Sequence, residues 1–119
     1  MLMAEAVMCF VIYLLVAFIM IGIGVSQLKS KTPVGFYTGE KPFAPEELSD
    51  VVMWNKRHGE MWMIYGGIIL LSGLSGTFLI GADASWKLIL VPMVGGVIVP
   101  IVWMMWYHGR LIRKYKITG

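Results

Sequence analysis

The sequence predicts an all-α integral membrane protein, a single domain over residues 1–119 with three transmembrane helices and one short cytoplasmic interfacial helix. Three observations lead there. Uncharged apolar stretches occupy residues 6–25, 61–82 and 88–107, each long enough at 1.5 Å per residue to cross roughly 30 Å of hydrocarbon. Of the residues, 58% are hydrophobic and 14% charged, against roughly 25% charged in a soluble domain. The basic residues are sorted by position: Lys29, Lys31, Lys41, Lys56 and Arg57 lie between spans one and two, Arg110, Arg113, Lys114 and Lys116 follow span three, and Lys87 alone occupies the second connection.

Basic residues in short loops resist translocation, so this bias predicts a multi-pass protein of the bacterial cytoplasmic membrane with its N-terminus outside. Loop 27–60 and tail 108–119 then lie in the cytoplasm. The tail HGRLIRKYKITG suits anionic lipid headgroups at about 1 kcal/mol per basic residue. Its charge belongs to this topology, so no nucleic-acid partner is predicted.

Span one has no basic n-region, carries Glu5 ahead of it and lacks a small-x-small site before Ser26, so it is expected to be retained rather than cleaved as a signal. Its Cys9 has no partner for a disulfide within the chain and reads as a small apolar packing residue.

After span one, Pro33, Pro42, Pro45, Gly35 and Gly39 break any apolar period, and the segment reads as loop. From Pro45 the pattern turns helical. Pro45 suits a first helical position, Glu46, Glu47 and Asp50 suit a helix N-terminus, and Lys56, Arg57 and His58 suit its other end. Leu48, Val51, Val52 and Asn55 form an amphipathic stripe with one polar interruption. An interfacial helix from Pro45 to about His58 is expected. Gly59 either ends it or lies within a helix that continues into span two.

Span two carries Gly66, Gly67, Ser72, Gly73 and Gly76, small residues that let another helix approach closely. They predict packing against spans one and three, or across a homo-oligomer. Span three carries Pro92 and Pro100 around Gly95 and Gly96, a tolerated bend within a helix. Trp54, Trp62, Trp86, Trp103, Trp106 and Tyr107 mark the membrane boundaries.

Spans two and three are antiparallel with a short connection, which should bring His58 and His108 to one level. With Glu60 nearby, this pair is the one constellation able to hold a metal or, axially, a haem. The ordinary reading is two interfacial histidines, and no cofactor is predicted. No span contains a buried acid or base, and no nucleophile elbow, phosphate loop or carboxylate pair supports an enzyme.

Gly35-Phe36-Tyr37-Thr38, followed by Val52-Met53-Trp54-Asn55-Lys56-Arg57-His58-Gly59-Glu60, resembles the loop signature of the SdpI family, bacterial membrane proteins typified by an immunity protein against a secreted killing toxin. Gly35, Thr38, Trp54 and His58 fall on motif positions. Tyr37 stands where that family has arginine, Gly39 where it has proline, and three spans stand where the founding member has more. Short three-span proteins of Gram-positive bacteria are similar in the same region. The resemblance implies an immunity or sensing role, with a peptide toxin or a membrane protein as partner.

The residues support a cap independently of the family. Gly35 permits a tight turn, Thr38 can hydrogen-bond within it, and Trp54 and His58 stand one helical turn apart on one face. The loop is expected to fold onto that face, and Gly35, Tyr37, Thr38, Trp54 and His58 are the candidate binding residues. Two further functions stay open: an oligomeric transporter or channel, and a haem- or metal-binding redox subunit.

Overall fold

Three long helices account for most of the chain: α1 over Leu2–Lys29, α2 over Val51–Gly81 and α3 over Trp86–Tyr115. The structure is a computed structural model that describes residues 2–36 and 40–117. Tyr37, Thr38 and Gly39 lie outside the described residues. All three helices are long and apolar enough to cross a membrane, as expected from the three apolar stretches, and the arrangement is compatible with a multi-pass membrane protein. Apolar side chains such as Phe18, Ile19, Phe78, Val91 and Val99 point outward. In water such a surface is costly; acyl chains accommodate it.

Each helix exceeds what a bilayer requires. The 31 residues of α2 span about 46 Å, against about 30 Å of hydrocarbon. At one end of the bundle, residues 51–60 of α2 and 107–115 of α3 carry the loop that follows α1. Tail residues 108–115, assigned above to a segment outside the spans, therefore continue α3 as helix.

The expected interfacial helix is not a separate element. Pro45–Glu47 makes a single 3-10 turn, after which Leu48 is extended and bridges to Lys116. The Ser49 amide donates to the Tyr115 carbonyl at 2.8 Å, and the Ile117 amide to the Glu47 carbonyl at 2.8 Å. These bonds to the tail take the backbone out of helical geometry. The chain restarts at Asp50, whose carboxylate accepts from the Met53 amide at 2.9 Å as an N-cap. From there α2 runs unbroken through Gly59. At its far end Asp83, at φ 57°, turns the chain into α3, which Ser85 caps at Leu88.

α1 packs along α2 and α3 packs on α2, while α1 and α3 make little direct contact. Small residues set the α1–α2 spacing. Gly24 and Gly59 face each other so closely that a β-carbon on Gly24 would lie 2.5 Å from the Gly59 carbonyl oxygen. Gly66 meets Ala17 and Ile21, Gly73 meets Tyr13, and Gly76 meets Cys9 of α1 and Met93 of α3. Ser72 fills the space beside Gly96. These contacts are the intrachain packing expected of Gly66, Ser72, Gly73 and Gly76. Gly67 departs from it, with nothing within 4 Å of where its β-carbon would stand. Gly67→Leu is accordingly expected to leave thermal unfolding in detergent within about 0.5 kcal/mol of the parent.

Ala17, Met61, Tyr65, Ile69 and Met104 form the core between the helices. A second cluster of Leu48, Trp54, Leu111 and Tyr115 lies at the loop-bearing end and joins the loop to α2 and α3.

Candidate functional site

Trp54, Asn55 and His58 project from the first turns of α2 into the loop, and all three are buried. Asn55 binds three main-chain groups at once. Its Oδ1 accepts from the Val34 amide at 3.0 Å, and its Nδ2 donates to the carbonyls of Ser30 at 3.1 Å and Thr32 at 2.9 Å. Beside it the Trp54 indole donates to the Val34 carbonyl at 2.9 Å, and Gln27 of α1 donates to the Gly35 carbonyl at 3.3 Å. Residues 30–36 are thereby laid across the end of the bundle. The described part of the loop thus folds back toward the face of α2 that carries Trp54 and His58.

Beneath the cap the two histidines meet. His58 Nε2 and His108 Nδ1 are 2.8 Å apart, His58 Nδ1 lies 2.8 Å from the Trp54 carbonyl oxygen, and His108 Nε2 lies 2.8 Å from Glu40 Oε2. Glu40 Oε1 accepts from the Phe36 amide at 2.6 Å. The ends of this chain fix the roles within it. A carbonyl oxygen only accepts, so His58 Nδ1 donates to Trp54, its Nε2 accepts when the ring is neutral, and His108 Nδ1 donates to it. Aromatic rings enclose the pair, with Trp54 4.2 Å from His58 and Phe36 4.8 Å from His108, centroid to centroid.

The carboxylate in this constellation is Glu40, not Glu60. Glu60 instead faces Arg57 one turn back on α2, at 3.7 Å. At 2.8 Å from each other, the two histidine nitrogens are within hydrogen-bonding distance, part of a relay that ends at Glu40. Among the described residues, no three His, Cys, Asp or Glu side chains converge as a metal site would require.

An open groove begins where the relay ends. The divergence of α1 and α3 leaves a cleft of about 860 Å³, walled by Met20 and Ile23 of α1 and Ile101, Met104 and Met105 of α3, floored by Trp62 and Tyr65 of α2, and closed at the cap by Gly35, Phe36, Glu40 and Pro42. A second cleft of about 300 Å³ shares Met20 and Tyr65 and extends to Ile12 and Val97. The Tyr13 hydroxyl crosses its far end to the Met93 carbonyl at 2.8 Å. The larger cleft is apolar except near the cap, where Gln27, Trp62 and Glu40 contribute polar groups. Among the described residues, Gln27 Oε1 and Trp62 Nε1 are buried with no hydrogen-bond partner, a state that costs about 1–3 kcal/mol per group until something satisfies it.

Of the binding residues expected from the sequence, Gly35, Trp54 and His58 come together in the cap, while Tyr37 and Thr38 fall outside the described residues. Asn55, Glu40 and Gln27 complete the site without having been candidates. Asn55 carried a signal as the polar interruption in an apolar stripe. Fold and site define a small three-helix protein with a loop cap over a lateral groove. Comparison with protein-family models, curated proteins and solved structures gives no match for this chain.

Proposed function

We propose that this chain is a non-enzymatic bacterial membrane protein of immunity or sensing type, which captures a membrane-active peptide in the groove between α1 and α3. The observation that carries the reading is the groove itself. It opens along the flanks of α1 and α3, is apolar over most of its length, and ends under the cap at a carboxylate and two polar atoms that have no partner among the described residues. Along α1 it runs from Met20 to Gln27, about 10 Å, the length of roughly two turns of a peptide helix. A fourth helix seated there would bury the faces that α1 and α3 leave apart. The basic residues favour placing the cap in the cytoplasm.

The packing of Gly66, Ser72, Gly73 and Gly76 within the chain favours capture over an oligomeric transporter.

Two measurements test the proposal. A strain lacking the protein is expected to be more sensitive to at least one membrane-active peptide; unchanged sensitivity across a panel of such peptides removes the immunity role. Met20→Trp places an indole where both clefts meet, and is expected to weaken binding of that peptide at least tenfold in nanodiscs while leaving the far-ultraviolet circular dichroism unchanged. Undiminished binding to Met20→Trp places the peptide elsewhere.

A further inference from the structure

The relay holds one proton more than its groups require for neutrality of the rings. Three hydrogen bonds link Trp54, His58, His108 and Glu40, and three bonds need three hydrogens. Two neutral imidazoles supply two. A carbonyl closes one end of the array and a carboxylate the other, so the third hydrogen is an additional proton, shared between His108 Nε2 and Glu40 Oε2. With it the set is neutral overall. Without it, the carboxylate faces the lone pair of a neutral imidazole across 2.8 Å, and both are acceptors.

The same carboxylate is a wall of the groove. Its side chain is 21% exposed; Oε1 accepts from the Phe36 amide and Oε2 faces His108. Among the described residues, the other charges stand aside. On α2, Arg57 and Glu60 pair with each other and line a different cleft together with Arg110 of α3; α1 contributes the uncharged Gln27 to the groove; in the loop, Lys41 is exposed; Tyr115 of α3 packs on Trp54.

We infer that the capped end of the groove is a cation-binding site: a primary ammonium or guanidinium of the ligand is taken by the Glu40 carboxylate, which lines the groove, in exchange for the proton it shares with His108 Nε2. The exchange balances. One cation enters and one proton leaves to solvent, the pair keeps its net charge, and the carboxylate accepts from the N–H groups of the incoming cation. The adjoining apolar walls take the hydrocarbon attached to it. This inference rests on the groove being a binding site, and it names the chemistry read there: a cationic side chain or amino terminus at the end of an apolar peptide segment.

The test uses the full chain in nanodiscs of uncharged lipid, titrated calorimetrically with dodecylamine and with dodecanol, with empty nanodiscs subtracted. Proton and ammonium compete for one site, so dodecylamine affinity is expected to rise with pH, with proton release as the amine binds. The amine stays charged at acidic and neutral pH. Dodecanol affinity is expected to be flat. Glu40→Gln replaces the shared proton by an amide N–H, so the relay keeps its three hydrogen bonds; this variant is expected to bind the amine at least tenfold more weakly, lose the pH slope and retain dodecanol. The slope is read on the unaltered chain, so the result does not depend on the stability of E40Q. Equal, pH-independent binding of both amphiphiles by the unaltered chain overturns the cation site and leaves the groove intact. An E40Q protein that keeps the slope overturns it equally, and binding of neither amphiphile overturns the groove as well.

Discussion

Gly59→Leu is expected to force α1 from α2 and to destabilise the fold by roughly 3 kcal/mol, at the upper end of the cost of overpacking. A β-carbon on Gly59 would lie 2.7 Å from the Gly24 carbonyl oxygen and 2.9 Å from the side chain of Leu28. Leu28 can rotate away, but the carbonyl belongs to a helix backbone and cannot. Relief therefore requires the two helices to separate near the cap. The consequence reaches the site, because Gln27 lies at the same end of α1 and holds the Gly35 carbonyl. The measurement is thermal unfolding in a mild detergent, with Gly67→Leu as the matched control of equal added volume. Equal unfolding temperatures for the two variants would show that the Gly24–Gly59 contact does not set the helix spacing.

The contrast between Gly67 and its neighbour Gly66 shows how far the sequence could be read. A small residue in an apolar helix signals close packing, but consecutive residues point about 100° apart, so Gly66 meets α1 and Gly67 cannot. The three helices were legible because each apolar run is uncharged over a bilayer's thickness. The meeting of His58 and His108 was legible too, since two antiparallel helices with a short connection bring their far ends level. Glu40 was not. It lies in a segment of proline and glycine with no period to place it, 68 positions from the histidine it pairs with, and Glu60 was nearer in sequence. The start of α2 was misread at Pro45 because the competing bonds come from the tail at Tyr115 and Ile117, and local helix signals carry no trace of so distant a partner. Asp50 was the stronger cap.

Asn55→Ala is expected to release the cap while sparing the three-helix core. The side chain is 2% exposed and satisfies the Val34 amide and the carbonyls of Ser30 and Thr32. At about 1 kcal/mol net for each bond, its removal costs roughly 3 kcal/mol, concentrated in residues 30–36. No other side chain is positioned to take over all three groups, and the indole of Trp54 holds only the Val34 carbonyl. Local rather than global loss follows, because Met61, Tyr65, Ile69 and Met104 pack below the cap and do not involve Asn55. Hydrogen exchange checks this directly: the Val34 and Phe36 amides are expected to exchange at least tenfold faster in Asn55→Ala, and amides in the middle of α2 at the parental rate. Trp54→Phe keeps most of the ring but loses the indole donor, at a cost of about 1 kcal/mol, so it should accelerate Val34 and Phe36 less. Should Asn55→Ala leave Val34 protected, the loop is held by the packing of Trp54, Leu48 and Tyr115 rather than by the amide. In that case the relay of Glu40, His108 and His58 would stay assembled without it.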